Sequence, residues 1–158
     1  MFEFEEEIYF DPSEDGYTHL NAYSKGRTRL GRMLSNFAYS PFVFEPYGHF
    51  KSMEGFWYWY CTGQKHDILR TLSGAKAKAE GQKFPRVITS MSDEDISTIQ
   101  DAMVAKIVQN SEIKDALMKC NLEIVHYYVY AGRVVRLDQK DDWFAETLNM
   151  IRDALQGK

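Results

Sequence analysis

Cysteine is nearly absent from this chain: Cys61 and Cys120 are the only two in 158 residues. They match no paired metal-ligand spacing, and no secretory leader precedes them, so two reduced thiols in a cytosol are expected. Proline (4) and glycine (10) are also few, which excludes a fibrous or low-complexity chain. No apolar run approaches the roughly 20 residues of a membrane span, so no membrane partner is expected. Positive charge is in deficit, with 19 Lys and Arg against 23 Asp and Glu. The net charge of −4 argues against a nucleic-acid footprint along the whole chain and leaves room for a local basic groove. Several chemical signatures are missing as well: a Gly-rich loop of Walker or Rossmann type, His-Glu-x-x-His, and Gly-x-Ser-x-Gly. The four histidines, His19, His49, His66 and His126, are scattered among separate elements, so no shared metal site is expected.

What remains is 44% hydrophobic and 27% charged, enough for one compact domain over 1–158 with a core that needs no staples. Aromatics are in excess, at 15% of residues. The opening segment to Phe10 alternates weakly, Asp11–Gly16 is turn chemistry, and Thr18–Tyr23 alternates again, which predicts a β-hairpin or two short strands. Arg27–Phe37 reads as a short helix, and Pro41–Phe50 as irregular or short extended structure. Ser52 suits the cap of a helix over Met53–Cys61, with further helical segments over Gln64–Leu72 and Ala75–Glu80. Ser92 with Asp95 makes a shortened capping box, and Ile96, Ile99, Met103 and Ile107 form one stripe behind it. Ser111 caps another helix, Leu122–Tyr130 reads as a strand turning at Ala131-Gly132 into Val134–Leu137, and Trp143–Leu155 closes as a helix. The sum is a helix-rich α+β domain with a small, mostly antiparallel sheet.

Two segments hold candidate chemistry. In Arg32–Phe37 a helical stretch runs out into Ser35-Asn36, a break that exposes hydroxyl, amide and backbone N–H groups together. The same pattern suits a plain helix C-terminus. In Gly48–Tyr60 a single carboxylate, Glu54, sits in the first turn of a helix beside Phe56, Trp57 and Tyr58. Cleavage of an N-glycosidic bond develops positive charge at the anomeric carbon, which a nearby carboxylate stabilises while aromatic faces stack the departing base. Burial beside rings raises a carboxyl pKa towards the range useful for proton transfer. Equally, Met53, Phe56, Trp57 and Tyr60 suit an amphipathic core helix. Arg27, Arg29 and Arg32 fit either an anion-binding face or a solvated one. His49 reads as an exposed loop residue, and His126, within an aromatic strand, as a core histidine. Lys76 and Lys78 follow Gly74; Lys76 suits a diphosphate as a point charge, and the pair equally suits an ordinary surface helix.

Some of these residues fall into a longer pattern. Tyr23-Ser24-Lys25-Gly26 leads into Leu30-Gly31-Arg32-Met33-Leu34-Ser35-Asn36-Phe37 and Pro41-Phe42. Gly48-His49-Phe50, Ser52-Met53-Glu54 and Gly74-Ala75-Lys76-Ala77-Lys78 follow, and Lys106 with Gln109-Asn110 comes last. This order resembles the NADAR or YbiA-like family from about residue 20 to the C-terminal helix. The blocks Trp57–Tyr60 and His126–Tyr130 resemble a divergent branch associated with tailed phages. The resemblance implies a helix-rich fold with a small sheet and an N-glycosidase acting on ADP-ribose or ribose-phosphate compounds. It implies no metal and no organic cofactor, a nucleotide or ADP-ribosyl small molecule as partner, nucleic acid only as a modified substrate, and the cytoplasm, or a host's, as location. Position by position it makes Glu54 the active-site acid and sets Ser35 and Asn36 at the ribose. Lys76 falls at a phosphate, Trp57 or Trp143 against a base, and Arg32, Phe37, Gly48 and Ser52 around the pocket. The chain departs from the family at its end, where a Trp-Gly-x-Gly stretch and an Asp are shortened to Trp143, with Asp138, Asp141 or Asp142 as substitutes. That departure keeps a second reading open, a non-catalytic module that binds a nucleotide or a host protein.

Overall fold

The computed structural model describes residues 10–136 and 143–158. Helix and strand are mixed: among the described residues there are six α-helices and three separate two-stranded sheets. The helices are α1 (Arg29–Leu34), α2 (Met53–Cys61), α3 (Gly74–Gly81), α4 (Asp93–Gln109), α5 (Ser111–Met118) and α6 (Trp143–Leu155). Strand β1 (His19–Asn21) runs parallel to β4 (Glu123–Val125). Strands β2 (Phe42–Phe44) and β3 (Gly48–Phe50) form one antiparallel hairpin, and β5 (Tyr127–Tyr130) with β6 (Arg133–Arg136) forms another. None of the described helices is long and apolar enough to cross a membrane.

The sheet therefore differs from the expected one. The first nine residues lie outside the described ones, and β1 finds its partner a hundred positions later, in parallel. All three of its residues are buried, so the alternation read in that segment marks no solvent face. The strand expected over Leu122–Tyr130 also breaks, at His126, because side chains take over its backbone bonds. Asn21 donates its amide to Tyr127 O at 3.0 Å and accepts from Tyr127 N at 3.0 Å, closing the ladder where β4 ends. On the other edge of β4, Asn149 of α6 does the same for Ile124, at 2.8 and 2.9 Å. Beyond the break, Ala131 and Gly132 both take positive φ, the geometry of a tight two-residue hairpin loop.

Helix caps follow the residue chemistry more closely. Ser52 Oγ accepts from Gly55 N at the start of α2, and Ser92 and Asp95 exchange the reciprocal bonds of a capping box at α4. Asn110, not Ser111, takes the cap position of α5, and only Asp67–Thr71 of the expected Gln64–Leu72 helix forms, as a 3-10 turn. The aromatic excess is spent in two places. Phe42, Phe50, Phe56, Trp59 and Tyr60 are buried against one another in the core. Trp57 and Tyr58 of α2, Tyr128 of β5, and Trp143 and Phe144 of α6 border a cleft.

Candidate active site

Helix α2 divides its residues by phase. Phe56, Trp59 and Tyr60 face the core, while Glu54, Trp57 and Tyr58, spaced i, i+3 and i+4, share the opposite side. Its first turn is tied down from two directions. Ser52 Oγ, fully buried, also donates to Leu72 O at 2.8 Å, and the backbone N–H of Glu54 donates to Asn36 O at 2.9 Å. That second bond fastens the Ser35-Asn36 turn directly to the acid. Ser35 Oγ accepts from Phe37 N, and Ser35 O accepts from Lys106 Nζ at 3.0 Å, a side chain only 2% exposed.

Around Glu54 is a cavity of about 390 Å³ walled by Tyr23, Ser24, Lys25, Ser35, Asn36, Phe37, Tyr58, Lys78, His126, Tyr128 and Phe144. Asn36, His126, Tyr128 and Phe144 also border a second space of about 610 Å³, whose other walls include Trp57, Arg86, Thr89, Ser90, Met91, Met103 and Trp143. The two are lobes of one cleft with Asn36 and His126 on the divide. A groove with Ser24, Arg29, Arg32 and Phe37 continues from the first lobe on the other side. Volumes of this size suit a nucleotide-sized ligand.

Electrostatics mark the same spot. Burial raises the Glu54 carboxyl to about 7, with the Lys78 ammonium pulling the other way. Burial, reinforced by the Glu54 charge, also holds the Tyr58 and Tyr128 phenols above their usual value. His126 is pushed down to about 4 by burial, so it faces both lobes as a neutral imidazole at pH 7. A carboxyl near 7 and an imidazole near 4 on one wall are groups whose surroundings have driven them apart, a common mark of a working site. Arg86 lies over the Trp57 ring at 5.7 Å, so that lobe has an aromatic face with a cation upon it.

Glu54, Ser35, Asn36 and Phe37 thus meet in one lobe, with Trp57 and Trp143 in the other and Arg32 in the adjoining groove. Three expected residues lie elsewhere. Gly48 is in the β2–β3 hairpin, close to Arg70 Nη1; Ser52 is consumed by capping; and Lys76 is exposed outside the cavity lining. Lys78 takes the lining position instead. Residues two apart on a helix differ by about 200°, and α3 presses Gly81 onto Tyr58, which turns Lys78, one turn before it, towards the cleft. Arg29 pairs with Glu112, so the three-arginine face is partly neutralised. His126, read as a core residue, instead lines both lobes, with its ring against Phe144 and Tyr128. Asp138, Asp141 and Asp142 lie outside the described residues. Of the residues missed, Tyr58 had a signal in its i+4 spacing from Glu54 and Lys78 in its place beside Lys76 after Gly74; His126, Tyr128 and Arg86 had none.

Neither the models of known protein families nor the curated proteins contain a match to this chain.

Proposed function

We propose that the protein is an N-glycosidase of the NADAR or YbiA-like type, acting on the N-glycosidic bond of an ADP-ribosyl or ribose-phosphate compound. The observation that carries this reading is the Glu54 carboxyl, buried enough to titrate near 7, on the wall of a nucleotide-sized cleft lined by rings and amides. Its ionised form stabilises the cationic sugar as the C1′–N bond breaks and orients the water that adds to C1′. The proton that water gives up ends on the departing base. Asn36 and Ser35 stand where ribose hydroxyls need partners, and Lys25 and Lys78 supply charge for phosphate. The wider lobe, with Trp57, Trp143 and the Arg86 guanidinium, receives the base. Stacking of this kind contributes roughly 1–3 kcal/mol per base.

The decisive experiment pairs calorimetry with a base-release assay on ADP-ribosyl and ribose-phosphate N-glycosides. Glu54→Gln is expected to fold and bind ADP-ribose as the parent does while losing base release by at least a hundredfold. Turnover by that variant at the parental rate removes Glu54 from the mechanism. Binding by the parent chain without any release leaves a nucleotide-binding module.

A further inference from the structure

Beneath the Ser35-Asn36 turn are two polar groups that the site described above leaves unexplained. Lys106 Nζ is buried and, among the described residues, donates to Ser35 O alone, leaving further N–H donors on the amine. The side-chain oxygen of Asn36 is buried and accepts from no donor among the described residues. Both border the same small cavity of about 10 Å³, otherwise walled by apolar groups such as Leu34, Met53 and Phe144. That is the volume of one water, and a water persists in an apolar wall only where at least two polar partners hold it.

We infer that this cavity is a single-water site, and that Lys106, through the water, is the positioning residue that fixes the Asn36 amide. The water accepts from Lys106 Nζ and donates to Asn36 Oδ1, which satisfies an orphaned acceptor and a spare donor together. The arrangement also settles which way the amide points. Turned over, Asn36 and Lys106 would both donate to the water, whose own hydrogens would then face an apolar wall with nothing to accept them. With the oxygen held inward, the Nδ2 group is presented to the cleft, where Asn36 borders both lobes. The cleft therefore offers the ligand a donor here, suited to hydroxyl or carbonyl oxygens. The turn that carries this amide also receives the Glu54 N–H, so one buried lysine supports both ends of the site.

Only the choice of ligand rests on the proposed function. A crystal of the parent protein is expected to show an ordered water within about 3.2 Å of both Lys106 Nζ and Asn36 Oδ1. A dry cavity, or an Asn36 amide paired in the opposite sense, overturns the inference. In calorimetry with ADP-ribose, Asn36→Ala and Lys106→Met should each weaken binding about tenfold, and the double variant no further than either alone. Independent losses that multiply to about a hundredfold reduce Lys106 to a packing role. Asn36→Asp keeps the shape, pairs with Lys106 and removes the outward donor. It should melt no earlier than the parent yet bind as weakly as Asn36→Ala, and parental affinity in that variant also refutes the inference. Should Lys106→Met not fold, the water and Asn36→Asp decide. Should the parent bind no ADP-ribose, the enzyme reading loses its support while the crystal still decides the water site.

Discussion

At the scale of single residues, the proposed activity turns on the protonation of Glu54. Its carboxyl titrates near 7 because burial disfavours the charge more than Lys78 restores it. If the ionised form does the work, base release should rise with pH through about 7 and level off above it. Lys78→Gln removes an opposing cation, so at saturating substrate the rising limb should move to higher pH by some tenths of a unit to about one unit. A pH–rate profile of the two proteins checks this, and a limb that stays in place or moves down detaches Lys78 from the acid. A carboxylate among aromatics was legible as a candidate from the residues alone. Its degree of burial was not, because that depends on Tyr23, His126 and Tyr128, which arrive from distant segments.

Elements determine how the cleft is kept open. Helix α3 rests on α2 where Gly81 meets Tyr58: a Cβ at Gly81 would lie 2.2 Å from Tyr58 Cγ. The contact is possible only because the glycine has no side chain, and it sets the position of a ring that lines the Glu54 lobe. Gly81→Ala should therefore destabilise the protein by roughly 1–3 kcal/mol, the usual range for overpacking, and weaken ligand binding by displacing Tyr58. Urea unfolding alongside calorimetry measures both, and an unchanged midpoint would show that the two helices separate at no cost. Caps were readable at this scale, since Ser52 and the Ser92–Asp95 box act within four residues of chain. The phase of α3 was not, since Gly74–Gly81 is small or charged on all sides and shows no apolar stripe to orient it. Lys76 and Lys78 were thus indistinguishable until α2 packed against the helix.

For the whole molecule, the buried Lys106 makes stability depend on pH. Its folded pKa is depressed from 10.5 to about 7 by burial, so between those values the unfolded chain binds more protons than the folded one. Stability from this group accordingly rises as pH increases from about 7 towards 10.5, and its full penalty is present below 7. Lys106→Met abolishes this dependence. The stability of the variant relative to the parent should be highest near pH 6 to 7 and fall as pH rises to 9.5, by on the order of 1–3 kcal/mol. Urea melts of both proteins across that range test it, and a difference that is flat or grows with pH contradicts the buried-charge account. Legible in the residues alone were the starts of α2, α4 and α6, the tight turn at Ala131-Gly132, the mixed α and β character and the pairing of an acid with rings on one helix, because these depend on neighbours within a few residues. Tertiary structure alone decided that β1 pairs with β4, that the Leu122–Tyr130 stretch breaks at His126, and that a lysine from α4 lies under the Ser35-Asn36 turn. Such contacts join residues roughly seventy to a hundred positions apart. Their energies come from burial and from hydrogen bonds that side chains such as Asn21 and Asn149 supply in place of neighbouring strands, and no local pattern encodes them.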